Sequence, residues 1–247
     1  MTLFEAIVSG LVQGVTEFFP ISSSGHLVIL HNIIGLKEPQ ILFDIFLHAG
    51  TSLAIFIVFW GDILDVLTTK KRVGFYILVA TIVTGVFVLC FEKRIIAAFG
   101  NVKFVGVMML VTGLWLMAGS FLRYGSEGLS FIKAMMIGLA QGISAIPGIS
   151  RSGATIATGM FLGIKAQSAA KFSFLLSIPA VIGALLFELM NSHDWYMEPV
   201  YFIGFFVSCL TGILSLKLLL KILNSDNFYL FGIYCIAIGT VVLLFVK

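Results

Sequence analysis

The 247-residue sequence predicts an all-α integral membrane protein with six transmembrane helices plus two re-entrant helix-loop-helix pairs, arranged as an inverted-topology repeat. Three observations carry this reading. Hydrophobic residues make up 60% of the chain and charged residues only 11%, where soluble domains carry about a quarter charged residues. Apolar runs of about twenty residues follow one another closely, the length a helix needs to cross about 30 Å of hydrocarbon, and the alternating pattern of a membrane β-barrel is absent. Finally, residues 10–29 (GLVQGVTEFFPISSSGHLVI) return, shifted by 128 positions without a gap, as residues 138–157 (GLAQGISAIPGISRSGATIA), with eight of twenty positions identical.

Taken in order, residues 3–18 carry Glu5, Ser9, Gln13 and Glu17 at four-residue intervals. On a helix these form one stripe that must face protein or water. Phe18, Phe19 and Pro20 end that helix, and Ser22 to Gly25 form a polar break before a short run from His26 to Gly35. Such a pair enters and leaves the membrane on one side, and irregular backbone at that depth is tolerated only where it lines a cavity. Residues 42–61, 73–92 and 102–122 read as full spans. The pattern then restarts with a broken pair at 130–146 and 152–164, followed by spans at about 168–190, 199–222 and 228–246. Pro179 is expected to kink the first of these.

Each repeat therefore holds one re-entrant pair and three crossings. Three is odd, so the second half enters upside down, an arrangement familiar in transporters. The expected organisation is a single membrane domain over 1–247, with repeat 1 at about 1–123 and repeat 2 at about 129–247. Residues 1–20 lack a basic leader and carry Glu5, so no cleaved signal peptide is expected. Cys90, Cys209 and Cys235 lie in separate apolar runs without CxxC spacing and read as inert packing residues.

Orientation follows from the basic residues, with Arg151 left out as intramembrane. Lys70, Lys71, Arg72, Arg123, Lys133, Lys165, Lys171, Lys217 and Lys221 fall on one side, and Lys37, Lys93, Arg94, Lys103 and Lys247 on the other. The richer side should be cytoplasmic, which places both termini outside. The net charge of +3 comes with no basic patch, so no nucleic-acid partner is expected.

The two breaks differ where chemistry differs. The first has Glu17 and His26 where the second has Ala145 and Ala154, and the second has Arg151 where the first has Ser23. If the pairs enter from opposite faces, their tips meet near the midplane, and Glu17, Ser22, Ser23, Ser24, His26, Ser150, Arg151, Ser152 and Thr155 share one cavity. That set suits a phosphate ester or anhydride. The stretch from Pro147 to Thr155 puts glycines, including Gly153, serine hydroxyls and Arg151 at a helix start, where unpaired N–H groups and the dipole favour an anion. Arg151 adds a forked contact to phosphate oxygens, or alternatively serves as a structural ion pair with Glu17. Ser22 and Ser23 lie one turn before His26, an arrangement for nucleophilic attack, with Glu17 orienting the histidine or holding a metal ion. The same serines also suit helix capping. His31 and His48 are weaker candidates, and His193 reads as solvated.

The stretch from Gln13 to His26 and the stretch from Pro147 to Thr155 resemble the undecaprenyl pyrophosphate phosphatases of the bacitracin-resistance type, and the resemblance covers nearly the whole chain. It implies hydrolysis of undecaprenyl pyrophosphate to undecaprenyl phosphate and inorganic phosphate, which recycles a lipid carrier for peptidoglycan and other wall polymers. It also implies a multi-pass protein of the bacterial plasma membrane with a site facing the outer side, and a divalent cation, Mg2+ or Ca2+. Carried over by position, the functional residues are Glu17, Ser23, His26, Ser150, Arg151 and Thr155. Many members have a glutamate where this chain has Gln13, so metal binding would fall on Glu17, with Gln13 beside it. The implied partners are the polyprenyl pyrophosphate lipid and the bilayer, with the assembly left open between monomer and homodimer. A transporter or flippase of a phosphorylated polyprenyl lipid is the competing reading. A structural scaffold leaves Glu17, His26 and Arg151 unexplained.

Overall fold

The structure, a computed structural model, describes residues 1–35, 41–121, 128–191, 198–223 and 227–246. They form eleven helices: α1 (Leu3–Thr16), α2 (Ser23–Ile33), α3 (Ile41–Val58), α4 (Trp60–Thr68), α5 (Lys71–Phe99), α6 (Val102–Phe121), α7 (Phe131–Ile143), α8 (Arg151–Phe161), α9 (Ala166–Asn191), α10 (Pro199–Ile222) and α11 (Tyr229–Phe245). No strand occurs among the described residues. Four helices, α5, α6, α9 and α10, are long and apolar enough to cross a membrane. The pair α3 and α4 makes a fifth if counted as one span bent by 76°. The protein is an all-helical, multi-pass membrane protein.

The bend corrects the expected straight span over 42–61. Phe59 leaves helical geometry at φ −106°, ψ 21°. Its ring is buried against Phe174 at 6.0 Å between centroids, and beyond the corner Asp62 pairs with Lys171 at the start of α9. The span expected at 73–92 instead continues to Phe99, a 29-residue helix. Lys93 and Arg94 stay exposed on it while Ile95 is buried, so the charged triplet that suggested a loop rides on the helix surface. Pro179 sits within the continuous α9. Cys209 and Cys235 are buried as expected, whereas Cys90 is exposed, on the same helix as the outward residues Leu78, Ile82, Val86 and Leu89.

The helices around the two breaks are short. With 14 residues in α1, 13 in α7 and 11 each in α2 and α8, they extend roughly 16–21 Å at 1.5 Å per residue, short of the hydrocarbon thickness. Each leading helix lies parallel to a long one. Gly10 meets Gly204 and Val207 while Gly14 meets Ser208 and Thr211, so α1 runs with α10. Gly138 meets Ala80 and Gly142 meets Phe87, so α7 runs with α5. The same α10 runs parallel to α3, with Gly50 against Phe205 and Ser208, and Gly212 against Thr51 and Ala54. Helices α6 and α11 are antiparallel, meeting at Gly106 with Gly239 and at Gly113 with Gly232. Without a hydrophobic drive between helices in lipid, small residues of this kind let backbones approach closely. Hydroxyls finish the seams, as Ser208 donates to the Leu47 carbonyl at 2.9 Å and Thr84 to that of Gly138 at 2.8 Å.

Candidate active site

Both breaks end in a serine-capped helix. Ser22, held left-handed at φ 70°, accepts the Gly25 N–H at 3.1 Å, and Ser150 accepts the Gly153 N–H at 3.1 Å. In the second break the left-handed residue is instead Gly148 at φ 94°. Thr112 on α6 fixes that loop by donating to the Gly148 carbonyl at 3.0 Å and accepting the Ser150 N–H at 3.1 Å. The first N–H groups of α2 and α8 have no intrahelical partner, as at every helix start. Five expected site residues, Glu17, Ser23, Ser24, Ser150 and Arg151, line one cavity of about 560 Å³.

Glu17 is the hub, with a side chain only 5% exposed. Its Oε1 pairs with Nη2 of Arg151, 134 residues away. Its Oε2 accepts the Ser23 hydroxyl at 2.6 Å and the Gln13 amide at 2.9 Å, and lies 3.2 Å from Nδ1 of His48. The polar stripe on α1 thus faces protein, its next member Ser9 being paired with His31 at 3.3 Å. The other terminal nitrogen of Arg151, Nη1, is buried and has no hydrogen-bond partner among the described residues. An unmet buried donor is costly, and more so when charged, so a cavity-lining guanidinium in this state calls for an anion.

Several expected contributors do not line the cavity, and their hydrogen-bonding groups are engaged by other residues. His26 donates from Nδ1 to the Ser22 carbonyl at 2.7 Å, which leaves Nε2 to accept the Tyr234 hydroxyl at 2.9 Å. Its ring also stacks on Tyr234, so neither Ser23 nor Glu17 is its partner. Ser22 caps α2, Ser152 donates to the Phe19 carbonyl at 3.3 Å, and the Gly153 N–H is taken by Ser150. Thr155 is fully buried and pairs with Ser173 at 2.6 Å. His193 lies outside the described residues.

The histidine that does line the cavity is His48, with 29% of its side chain open. Its ring was reachable from sequence: Asp44 and His48 are the ionisable residues of the run 42–61 and lie four apart, on one helix face. An ionisable residue inside a span is a functional candidate by default. Asp44 also buries a carboxylate oxygen without a partner. Away from this polar end the cavity walls turn apolar, with Val88, Leu89, Ile95, Ile96 and Phe99 from α5 and Val181 and Ala184 from α9.

As arranged, the Glu17 and Gln13 pair offers a divalent cation one free oxygen, the buried Oε1 of Gln13, which has no hydrogen-bond partner among the described residues. Both carboxylate oxygens are met by protein donors, and Gln13 turns its amide nitrogen, a donor, toward the carboxylate. Among the described residues no three His, Cys, Asp or Glu side chains cluster in a way that could hold a metal.

Comparison with known proteins decides the class. Residues 6–241 match the family described as Bacitracin resistance protein BacA. The chain belongs to the BacA family. Within it, the chain is similar to the undecaprenyl-diphosphatase of Halothermothrix orenii, 39% identical over 99% of this chain and 98% of that protein. It is also similar to the undecaprenyl-diphosphatases of Alkaliphilus metalliredigens, 35% identical over 99% of both chains, and Korarchaeum cryptofilum, 37% identical over 98% of this chain and 99% of that protein.

Proposed function

We propose that this BacA-family protein is an undecaprenyl-diphosphatase, hydrolysing undecaprenyl pyrophosphate to undecaprenyl phosphate and inorganic phosphate within the plasma membrane. The observation that carries the reading at the level of residues is the buried, unmatched Nη1 of Arg151 at the polar end of a cavity whose remaining wall is apolar. A phosphorylated head with a long hydrocarbon tail has that polarity. Arg151 binds the phosphate oxygens with Nη1 while Glu17 holds its Nη2. Ser150, with the first N–H groups of α2 and α8, supplies further donors where charge develops. Ser23 is the nucleophile in this scheme. Its Oγ forms a bond to the terminal phosphorus as the bond to the lipid phosphate oxygen breaks, and its proton has Glu17 Oε2, 2.6 Å away, as acceptor. Water then releases the phosphate from Ser23. A divalent cation enters the proposal only as a companion of the substrate's own oxygens.

The inverted-repeat architecture, one domain with six crossings and two re-entrant pairs, belongs to the same proposal. Its support is the exchange of partners under the 128-residue shift: α1 runs with α10, and α7 with α5. The outward orientation is supported by the placement of basic residues. Lys70, Lys165 and Lys171 gather in one cavity at the start of α5 and α9, and the polar cavity extends along α5 to Glu92 and Phe99 at its other end. The lipid-transport alternative leaves the Ser23 contact with Glu17 without a task.

The test is phosphate release from polyprenyl pyrophosphate by protein in sealed, right-side-out vesicles, with and without chelator. Release from externally added substrate is expected. No release even after permeabilisation removes the phosphatase reading, and release only after permeabilisation reverses the orientation. Undiminished release in chelator removes the cation alone.

A further inference from the structure

We propose that His48 is a catalytic residue of this site, donating a hydrogen bond from Nε2 to a substrate phosphate oxygen on the side opposite Arg151. The inference rests on the phosphatase reading for its substrate but on independent geometry for its residue. The amide nitrogen of Gln13 lies 2.9 Å from Oε2 of Glu17 and 2.9 Å from Nδ1 of His48. A carboxylate oxygen can only accept, so this atom of Gln13 is the NH2 group. Its two hydrogens meet both neighbours when Nδ1 of His48 presents its lone pair, and where Nδ1 carries a proton toward Glu17 Oε2, 3.2 Å away, the imidazolium carries one on Nε2 as well. Either way a ring proton sits on Nε2, which has no protein partner among the described contacts, while the residue lines the cavity. His26 has the opposite assignment, with both nitrogens engaged by protein.

Gln13 thereby acquires a reason for being an amide. An ionised carboxylate at that position, fully buried and beside Glu17, could donate to neither neighbour and would need a proton or a cation between the two groups. The amide ties the carboxylate and the imidazole together. Arg151 and His48 then flank Glu17 from α8 and α3, one on each carboxylate oxygen. The pocket so formed takes two oxygens of one phosphoryl group, with Ser23 between them also bonded to Glu17.

The experiment exploits two partial mimics of histidine. The amide of glutamine reaches the Nε2 position, and that of asparagine reaches only the Nδ1 position. His48→Gln, His48→Asn and His48→Ala are purified and compared with wild type for kcat and KM, together with thermal unfolding. His48→Asn and His48→Ala should lose roughly a hundredfold in kcat, as for one well-placed donor, and His48→Gln should stay within about tenfold of wild type. Retained turnover in His48→Asn with loss in His48→Gln overturns the proposal, because His48 would then act only as a support through Nδ1. Undiminished turnover in all three overturns it as well. A measurement on wild type guards against misfolded variants. The chain has four histidines, and in protein labelled with 15N-histidine, inorganic pyrophosphate should shift the Nε2 resonance of His48. An unmoved resonance at saturating pyrophosphate overturns the proposal even if phosphate is released. A shifted resonance in protein that releases none sustains it while sinking the phosphatase reading.

Discussion

The packing of α10 against α3 and the space between α5 and α9 occupy equivalent places 128 residues apart, yet the first is a closed seam and the second a hollow. The residues account for the difference. In the seam, Gly50, Gly204 and Gly212 let the helices touch. At the positions that correspond under the shift stand Ile178, Tyr76 and Thr84, all buried. Side chains stand at these points in place of glycines, that of Thr84 turned to the Gly138 carbonyl of α7, and glycines that remain on this side, Gly85 and Gly183, line the cavity with nothing within 4 Å of a Cβ placed on them. The same helix pairing is closed between α3 and α10 and leaves a cavity of about 560 Å³ lined by α5 and α9. The breaks divide labour in a similar way. Gln13 binds Glu17 and His48, whereas its counterpart Gln141 donates only to Thr84 at 3.2 Å. The first half contributes the carboxylate and the imidazole, and the second contributes the cation.

The strongest way to break this division is to remove the cation. Arg151→Ala should lose about a hundredfold to a thousandfold in turnover, the effect of deleting one preorganised donor. Arg151→Lys should also be badly impaired, since a point charge cannot hold Glu17 and a phosphate with separate nitrogens. Phosphate release at saturating substrate checks both, and near-normal turnover in the lysine variant would remove the forked contact from the scheme.

A second pair of variants sharpens the contrast between seam and hollow. Gly50→Val, forced against Ser208 and Phe205, should destabilise the fold by about 1–3 kcal/mol, the usual range for overpacking. Gly85→Val, directed into open space, should change stability by less than about 0.5 kcal/mol. Thermal unfolding in detergent reads both. Equal shifts would mean that the two interfaces are not as different as their glycines indicate.

The smallest effect is expected at His26. With its ring engaged by Ser22 and Tyr234, His26→Asn should lower turnover less than about tenfold, in keeping with the loss of one or two ordinary hydrogen bonds in a support. A hundredfold loss in the same phosphate assay would return His26 to the reacting centre.

Much of this site was legible in the chain. The stripe of Ser9, Gln13 and Glu17 and the serine caps follow from local periodicity and from the cost of polar groups in lipid, and the meeting of Glu17 with Arg151 follows from the 128-residue repeat. What was not legible depended on long-range contacts. Nothing near His26 announces Tyr234, and nothing near Thr155 announces Ser173, so hydroxyls and imidazoles already satisfied at a distance looked available. His48, which lines the cavity, lies outside the repeated motif. The corner at Phe59 escaped notice because apolar residues run through it and the bend is made by burial of a ring, not by proline.

The ion pair between Glu17 and Arg151 also bears on how the protein is made. A carboxylate buried within a membrane protein is costly without a partner, and the guanidinium that pairs with Glu17 lies 134 residues later in the chain. At a synthesis rate of about 5–20 residues per second, that delay is roughly 7–27 seconds. During this interval Glu17 has only first-half partners, the Ser23 hydroxyl, the Gln13 amide and the imidazole of His48. The full set of contacts around Glu17 therefore closes only once the second half has been made and Arg151 has arrived.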